Sequence, residues 1–305
     1  MTQWDTQMLR RRVVLIFCAV LLLTGCATTK PEPAASPVAD PQAVQNALDQ
    51  ADQALSKGDF SSARKGYRRI LALAPETTAA QLGLGEIELA AGDPRQALDY
   101  FNSVAATDPS LRPGALQGQG LALIRLGRPE GAMPLLKEAV TLDPGLWRAW
   151  NALGSLEDSR RDWAAADEAY QRALALKPDA ALVLNNMGVS KMMRGDYLAA
   201  EQVFAKVLTA DPDMEEAAAN LRIAQAWQGR YDDAIQGVNN ETLAQRLNDV
   251  GYVAMLRGDL AVAETLFLRA ISASPTYHKV AYENLQQVGR LKAAGTPATT
   301  PAVFE

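Results

Sequence analysis

The sequence predicts an all-α solenoid of about seven helix–turn–helix units, because three features recur with one period. Prolines recur at intervals of 34 or 35 residues, where each closes a unit because proline cannot continue a helix interior. Midway between them lie short stretches such as KGDF, AGDP and RGDY, and an alanine follows each at a fixed distance. The closing prolines are Pro75, Pro109, Pro144, Pro178 and Pro212.

The turn inside each unit combines a helix end with a helix start. Glycine ends a helix readily because it adopts positive φ without a Cβ clash. The aspartate after it can accept a hydrogen bond from the free N–H groups of the next helix. Arg161 takes the glycine position in the fourth unit, where we expect a strained or differently shaped turn. The aspartates expected to cap helices are Asp59, Asp93, Asp162, Asp196 and Asp259.

The packing of each unit is predicted by a small residue and a larger one on the same helix face. An alanine lies five residues after each turn glycine or Arg161, and an apolar or aromatic residue follows four residues later. The small side chain lets two helices approach, and the larger one fills the adjoining space, so both should be buried. The alanines are Ala63, Ala97, Ala132, Ala166, Ala200, Ala234 and Ala263. The larger residues are Tyr67, Phe101, Leu136, Tyr170, Phe204, Val238 and Phe267.

The fourth unit shows a fuller pattern. Its residues are Trp150, Leu153, Gly154, Ala166, Tyr170, Ala173 and Pro178. This pattern resembles the tetratricopeptide repeat, although Glu157 stands where that family usually has tyrosine. The resemblance covers about residues 41–275. It implies a right-handed superhelical solenoid whose first helices line a groove for other proteins.

The sixth unit and the C-terminal end depart from the repeat. After YDDAIQGV the second helix of the sixth unit is cut short, and NNETLAQ begins the next helix. Residues 276–294 are predicted to form a C-terminal helix that caps the solenoid with a polar face. Residues 295–305, GTPATTPAVFE, are predicted to be a disordered tail.

The first forty residues have the layout of a bacterial lipoprotein signal. Three arginines precede an apolar run of 11 residues, Val13 to Leu23, which as a helix reaches about 16 Å. A membrane span needs about 30 Å, so the run is too short to cross. The stretch LTGC resembles the lipobox, which implies a signal peptide over residues 1–25, acylation of Cys26 with fatty acids such as palmitate, and a proline-rich linker over residues 26–40. The alternatives are a plain signal peptide and a short N-terminal anchor.

The composition argues against catalysis and nucleic-acid binding. The formal net charge is −5, whereas nucleic-acid binding normally needs a clustered basic face. One histidine, His278, and two cysteines, Cys18 and Cys26, leave no set of metal ligands. No G-x-S-x-G motif and no P-loop is present. The chain is therefore predicted not to be an enzyme, with no catalytic residue, metal, cofactor or small-molecule substrate.

Polar and apolar residues recur on the predicted groove face of the first helices. Asparagine offers a donor and an acceptor together, so a row of asparagines can grip the backbone of an extended peptide. Structural hydrogen bonds between helices would favour asparagine in the same places, and both interpretations stay open. The predicted peptide-binding residues are Asn151, Asn185, Asn186, Val189, Asn220, Ile223, Asn248 and Tyr252.

The anchor and the repeats together predict a lipid-anchored scaffold that binds other proteins at the bacterial cell envelope. The stretches NLRIAQAWQGRYDDA and LNDVGYVAMLRGDLAVAETLF resemble the TadD-type lipoproteins of tight-adherence (Flp) pilus assembly, which implies a secretin-type channel as partner. Ala27, rather than aspartate, follows Cys26, which favours the outer membrane, facing the periplasm. The alternatives are a pilotin of another secretion or pilus system, and an adaptor that regulates peptidoglycan-remodelling enzymes.

Overall fold

A computed structural model describes residues 40–237, 240–274 and 279–295, all within the compact unit Ala39–Glu305. These residues form fifteen α-helices and no β-strand, which confirms the all-α prediction. The helices are α1 Pro41–Ser56, α2 Phe60–Leu73, α3 Thr78–Ala90, α4 Pro94–Thr107, α5 Arg112–Arg125, α6 Pro129–Leu142, α7 Trp147–Ser159, α8 Trp163–Leu176, α9 Ala181–Met193, α10 Tyr197–Ala210, α11 Glu215–Trp227, α12 Tyr231–Ile235, α13 Asn240–Arg257, α14 Leu260–Ala273 and α15 Lys279–Ala294.

Several predicted features lie outside the described residues. They are the signal peptide 1–25, the linker up to residue 39 with Cys26, His278, and residues 296–305 of the tail. Among the helices that are described, none is both long enough and apolar enough to cross a membrane.

The helices pair into seven helix–turn–helix units, as predicted. In each unit an odd-numbered first helix packs against the even-numbered second helix that follows it. Each first helix also contacts the first helix of the next unit, from α1 with α3 to α13 with α15. Within the described ranges, second helices of neighbouring units do not approach one another in this way. The first helices therefore form the inner, more closely packed face of the solenoid.

The seven turns share one backbone conformation. The turn glycines have φ between 69° and 87°, and Arg161 has φ of 61° in the same left-handed region. The turn of the fourth unit therefore has the same backbone shape as the others. It differs only because Arg161 carries a side chain at a positive φ, which residues other than glycine disfavour. The turn glycines are Gly58, Gly92, Gly127, Gly195, Gly229 and Gly258.

Four of the five predicted aspartate caps form. The Oδ1 atoms of Asp59, Asp93, Asp162 and Asp196 each accept a backbone N–H from three residues later, at 3.0 to 3.2 Å. The prediction for Asp259 is wrong, because its side chain makes no cap hydrogen bond. Its carboxylate instead accepts hydrogen bonds from the Tyr231 hydroxyl and from Nε of Arg257. Because Tyr231 lies in α12, this carboxylate fastens the short second helix of the sixth unit to the next turn.

The predicted pairs of small and large residues form the core. All seven alanines are 0% exposed, and six of the seven larger residues are at most 1% exposed. The seventh, Val238, lies outside the described residues. The large side chains lie against glycines of the first helices, so a Cβ at Gly154 would come within 2.5 Å of the Tyr170 ring. A Cβ at Gly188 would meet the Phe204 ring at the same distance.

The sixth unit is irregular, as predicted. Its second helix α12 has five residues, whereas each of the other six second helices has 14. Within the predicted C-terminal segment 276–294, α15 packs against α13 and α14 through buried Ala281 and Val288. It takes the place that the first helix of an eighth unit would have.

Candidate peptide-binding groove

An open apolar cavity of about 610 Å³ lies on the inner face, between the first helices α9, α11 and α13 and the C-terminal helix α15. Three of the predicted groove residues, Val189, Ile223 and Tyr252, line it, together with Asn220 and Asn248. The apolar lining is completed by Met192, Trp227, Val253, Leu256 and Val280.

The repeat register brings the three apolar groove residues to one side. Val189, Ile223 and Tyr252 occupy the same position of the repeat in α9, α11 and α13, so their side chains project in the same direction. Tyr252 is 45% exposed although it is a large apolar residue. Trp227 is held by stacking on Tyr197, with ring centroids 5.1 Å apart. The apolar part of the cavity wall is thus well supported, and Gln245, Asp249 and Asn284 add polar groups to the lining.

The asparagines form a ladder of hydrogen bonds between successive first helices. Asn151, Asn185 and Asn248 are 7%, 0% and 5% exposed. Each accepts a hydrogen bond at 3.1 Å through Oδ1 from the Nδ2 group of an asparagine on the next odd-numbered helix. The donors are Asn186, Asn220 and Asn284.

The predicted asparagines differ in whether they line the large cavity. Asn151 and Asn185 are buried between helices and do not line the large cavity, whereas Asn220 and Asn248 do. Asn186 lies beside a smaller cavity of about 240 Å³ between α7 and α9. Sequence reasoning missed Asn284, which follows Asn248 by 36 residues, close to the spacing of 35 in the other two pairs. Extending the register into the C-terminal helix would have found it.

A buried carboxylate joins the fourth and fifth units below the smaller cavity. Asp158 is 4% exposed, and it accepts hydrogen bonds from Ser190 Oγ at 2.6 Å and from the Tyr170 hydroxyl at 2.8 Å. Burial raises the pKa of Asp158, and the same cause raises the pKa of Tyr170. Arg194 lies nearby and pairs with Asp167 through two hydrogen bonds of 2.6 and 2.7 Å. Both oxygens of Asp158 have partners within the chain, so this network connects the two units.

The N-terminal half of the inner face has a different character. Glu86 of α3 pairs with Arg148 of α7 at 2.8 Å, so one ion pair bridges two helices that have α5 between them. Position for position, Glu86, Leu121 and Ser155 correspond to the apolar trio of the cavity. Among the described residues, no group of three histidine, cysteine or acidic side chains could hold a metal ion.

Family models described as tetratricopeptide repeat match most of the solenoid. One model matches residues 48–112, 88–146, 117–181 and 151–215, and a second matches residues 191–260. These matches together run from residue 48 to residue 260, which is more than half of the 305 residues.

Relatives and solved structures share the repeat architecture. The chain is 30% identical to protein FlbA of Caulobacter vibrioides over 122 residues, which is 40% of this chain and 20% of FlbA. A tetratricopeptide repeat protein from Parabacteroides merdae is 17% identical, with a TM-score of 0.51 over 81% of this chain and 99% of that one. A chain of the APC/C hetero-tetramer Cut9-Hcn1 is 19% identical, with a TM-score of 0.59 over 80% of this chain and 52% of that one. At these identities the structures agree with the predicted superhelical solenoid and show the fold alone.

Proposed function

Because the chain belongs to the tetratricopeptide repeat family, we propose that it is a lipid-anchored scaffold that binds an extended segment of a partner protein between α9 and α15. Repeat solenoids present long concave surfaces to other proteins, and this chain has such a surface on its first helices. The groove and the lipid anchor are independent parts of the proposal, and each has its own test.

The open apolar cavity is the observation that carries the groove proposal. Contiguous exposed apolar surface marks interaction sites, and Tyr252 and Val280 on its wall are 45% and 52% exposed. Apolar surface buried by a partner contributes roughly 25 cal/mol per Å². A segment with apolar side chains would therefore gain most of its binding free energy here.

Polar groups at the cavity edge can orient the backbone of the bound segment. Asn220 donates its Nδ2 group to the ladder, while its Oδ1 atom makes no hydrogen bond to the described residues. That oxygen can accept a backbone N–H from the partner, and such a bond contributes about 1 kcal/mol. The ladder thus fixes the Asn220 amide in a useful orientation.

Site-specific photo-crosslinking tests the groove in envelope membranes. A photo-reactive residue at Tyr252 should capture the partner, because it faces the cavity. The matched control is Leu198 on the second helix α10, an exposed apolar residue outside the cavity lining. Equal capture at the two positions, or no capture at Tyr252, would contradict the groove.

The lipid anchor is supported by the sub-spanning apolar run and the lipobox ending at Cys26. Two or three acyl chains on one residue give stable membrane attachment, at about 0.8 kcal/mol per buried CH₂. The variant Cys26→Ser should lose all incorporation of a fatty-acid probe and should no longer fractionate with the outer membrane. Equal labelling of the variant and the natural protein would refute the anchor.

A role in tight-adherence pilus assembly is supported by the resemblance of the sixth and seventh units to TadD-type lipoproteins. The partner captured through Tyr252 should then be a secretin-type channel subunit or another pilus assembly protein, identified by mass spectrometry. Capture of a peptidoglycan hydrolase or synthase instead would favour the adaptor and overturn the pilus assignment.

A further inference from the structure

The second helix of the sixth unit, α12, is much shorter than the second helices of the other units. α12 has five residues against 14 in the other second helices, a difference of nine. Nine helical residues extend about 13.5 Å. The part of a second helix that is absent after α12, called the gap below, therefore corresponds to about two and a half helical turns.

The complete units show what this part of the second helix normally does. Near its end, an apolar residue seven positions after the recurring alanine packs on a small residue of the next first helix. Val104 packs with Ala115 in this way, and Val207 packs with Ala217. All four side chains are 0% exposed. The second half of each second helix thus covers the start of the following unit.

Two arginines replace the small residues that would face the gap. Arg222 stands where the first helices of the second, third, fourth, fifth and seventh units have glycine, the position that receives a large side chain from the second helix. Arg246 in α13 stands where the five preceding first helices have alanine or valine. Both arginines are half-buried. Such long side chains fit at these positions because the segment that would collide with them is missing.

An apolar notch lies between α13 and α14, and Arg246 follows one of its lining residues, Leu243, by three positions on the same helix face. It has a volume of about 490 Å³, and Leu243, Leu247, Leu268 and Arg269 contribute to its lining. Leu268 is 49% exposed. The residues at the corresponding position of the other complete second helices are polar or small: Arg68, Asn102, Lys137, Gln171 and Ala205. At this position of the repeat, among the described second helices, leucine occurs only in α14, which follows the shortened α12.

The charge around the notch is positive. Arg222, Arg246 and Arg269 make no ion pair with any described residue. Burial and repulsion by the nearby Arg246 guanidinium lower the pKa of Arg222, and the Asp249 carboxylate offsets only part of this effect. A carboxylate placed between them would relieve that repulsion.

We propose that this notch is a second docking site, which takes an amphipathic helix of another protein with acidic residues beside its apolar face. That helix would complete the missing half of the sixth unit's second helix. Its apolar side chains would cover Leu243 and Leu268, and its carboxylates would pair with Arg222 and Arg246. The lining of the notch shares no residue with the lining of the inner cavity.

Disulfide tethering of a short helix tests this proposal in the full chain with Cys18 and Cys26 replaced by serine. The cysteine for tethering is introduced by Leu268→Cys. The matched control is Ala205→Cys, the corresponding exposed position in α10, which follows the complete second helix α8. The probe is a synthetic peptide with the sequence of residues 167–176, DEAYQRALAL, extended by a cysteine. A second peptide has both acidic residues replaced by lysine. Tethering is measured at equilibrium in a thiol redox buffer, which reads out weak, non-covalent docking.

The acidic peptide should tether at Leu268→Cys about tenfold more strongly than the lysine peptide, which corresponds to 1.4 kcal/mol. At Ala205→Cys the two peptides should agree within about twofold, since no gap precedes that helix. Adding Arg246→Ala or Arg222→Ala to Leu268→Cys should remove most of the preference. Equal tethering of both peptides at Leu268→Cys would overturn the proposal, as would the same preference at Ala205→Cys.

Discussion

The fifth and sixth units begin from similar sequences and end differently. In the fifth unit α10 has 14 residues, and the Phe204 ring lies directly on Gly188. In the sixth unit α12 has five residues and Arg222 takes the glycine position. Both units keep the buried alanine and the left-handed turn glycine that precedes it. The units therefore share the turn and differ in everything that depends on a full second helix.

This difference shows that the residues of the repeat pattern depend on one another in pairs, with one residue of each pair on each of two packed helices. A glycine is needed on the first helix only where a large ring from the second helix comes close, as Tyr170 does at Gly154. In the sixth unit the second helix ends early, so small residues are no longer required at the positions of Arg222 and Arg246. The sequence around the sixth unit is therefore free to carry charge, and the binding surfaces proposed above both adjoin it.

Exchanging the residues at the glycine position gives the largest expected effect. Gly188→Arg would force a long side chain into the space of the Phe204 ring and should lower the free energy of unfolding by about 3 kcal/mol. Arg222→Gly should lower it by about 1 kcal/mol, the difference in helix propensity. Urea unfolding of both variants measures this asymmetry. Equal losses would show that α11 packs like a first helix of a complete unit.

The alanine that recurs in every second helix offers a second contrast between the same two units. Ala200→Leu should overpack the crossing with the first helix and destabilise the protein by about 1 to 3 kcal/mol. Ala234→Leu should destabilise it by less than about 1 kcal/mol, because α12 ends one residue later and can shift. Thermal or urea unfolding checks both. If Ala200→Leu is as stable as the natural protein, the assigned register is wrong.

The asparagine ladder predicts a loss of stability where the fifth unit meets the sixth. Asn185→Ala removes the acceptor of the Asn220 Nδ2 group and should lower the free energy of unfolding by about 1 to 3 kcal/mol. Asn46→Ala is the control, since Asn46 is exposed and bonds only within α1. Partner affinity per folded molecule should fall by at most the about 1 kcal/mol of the Asn220 hydrogen bond in Asn185→Ala, and should stay unchanged in Asn46→Ala. Unchanged stability combined with weaker binding would instead assign Asn185 to the binding site.

The smallest effect concerns pH and the turn after the short helix. Hydrogen bonds from Tyr231 lower the pKa of Asp259 below its usual 3.8, so its contribution to stability is present above that value and is lost as the pH falls below it. Asp259→Asn should therefore destabilise the protein at pH 7, and the difference from the natural protein should disappear as the pH falls well below 3.8. Asp196→Asn is the control, because asparagine caps a helix as well as aspartate does. A deficit of Asp259→Asn that persists at low pH would contradict this assignment.

Most of the fold could be predicted from the sequence because the same packing positions recur in seven units. The buried alanines, their larger partners and the shortened sixth unit all follow from spacing. The function of the asparagines did not follow, because a residue that recurs once per unit can face either the next helix or the groove. Asp158 shows the same limit in another way. It occurs in one unit only, and its partners Tyr170 and Ser190 come from two other helices, so no periodic signal marks the network.

The affinity of the partner captured through Tyr252 tests the central claim most directly. Calorimetric titration should compare the natural protein with Ile223→Ser and with Leu121→Ser, which changes the corresponding position in the N-terminal half of the inner face. Burial of an isoleucine side chain contributes about 1.5 to 3 kcal/mol, so Ile223→Ser should weaken binding by at least about tenfold. Leu121→Ser should leave the affinity of the folded protein within about twofold. Equal weakening by both changes, or none by Ile223→Ser, would contradict a binding site between α9 and α15.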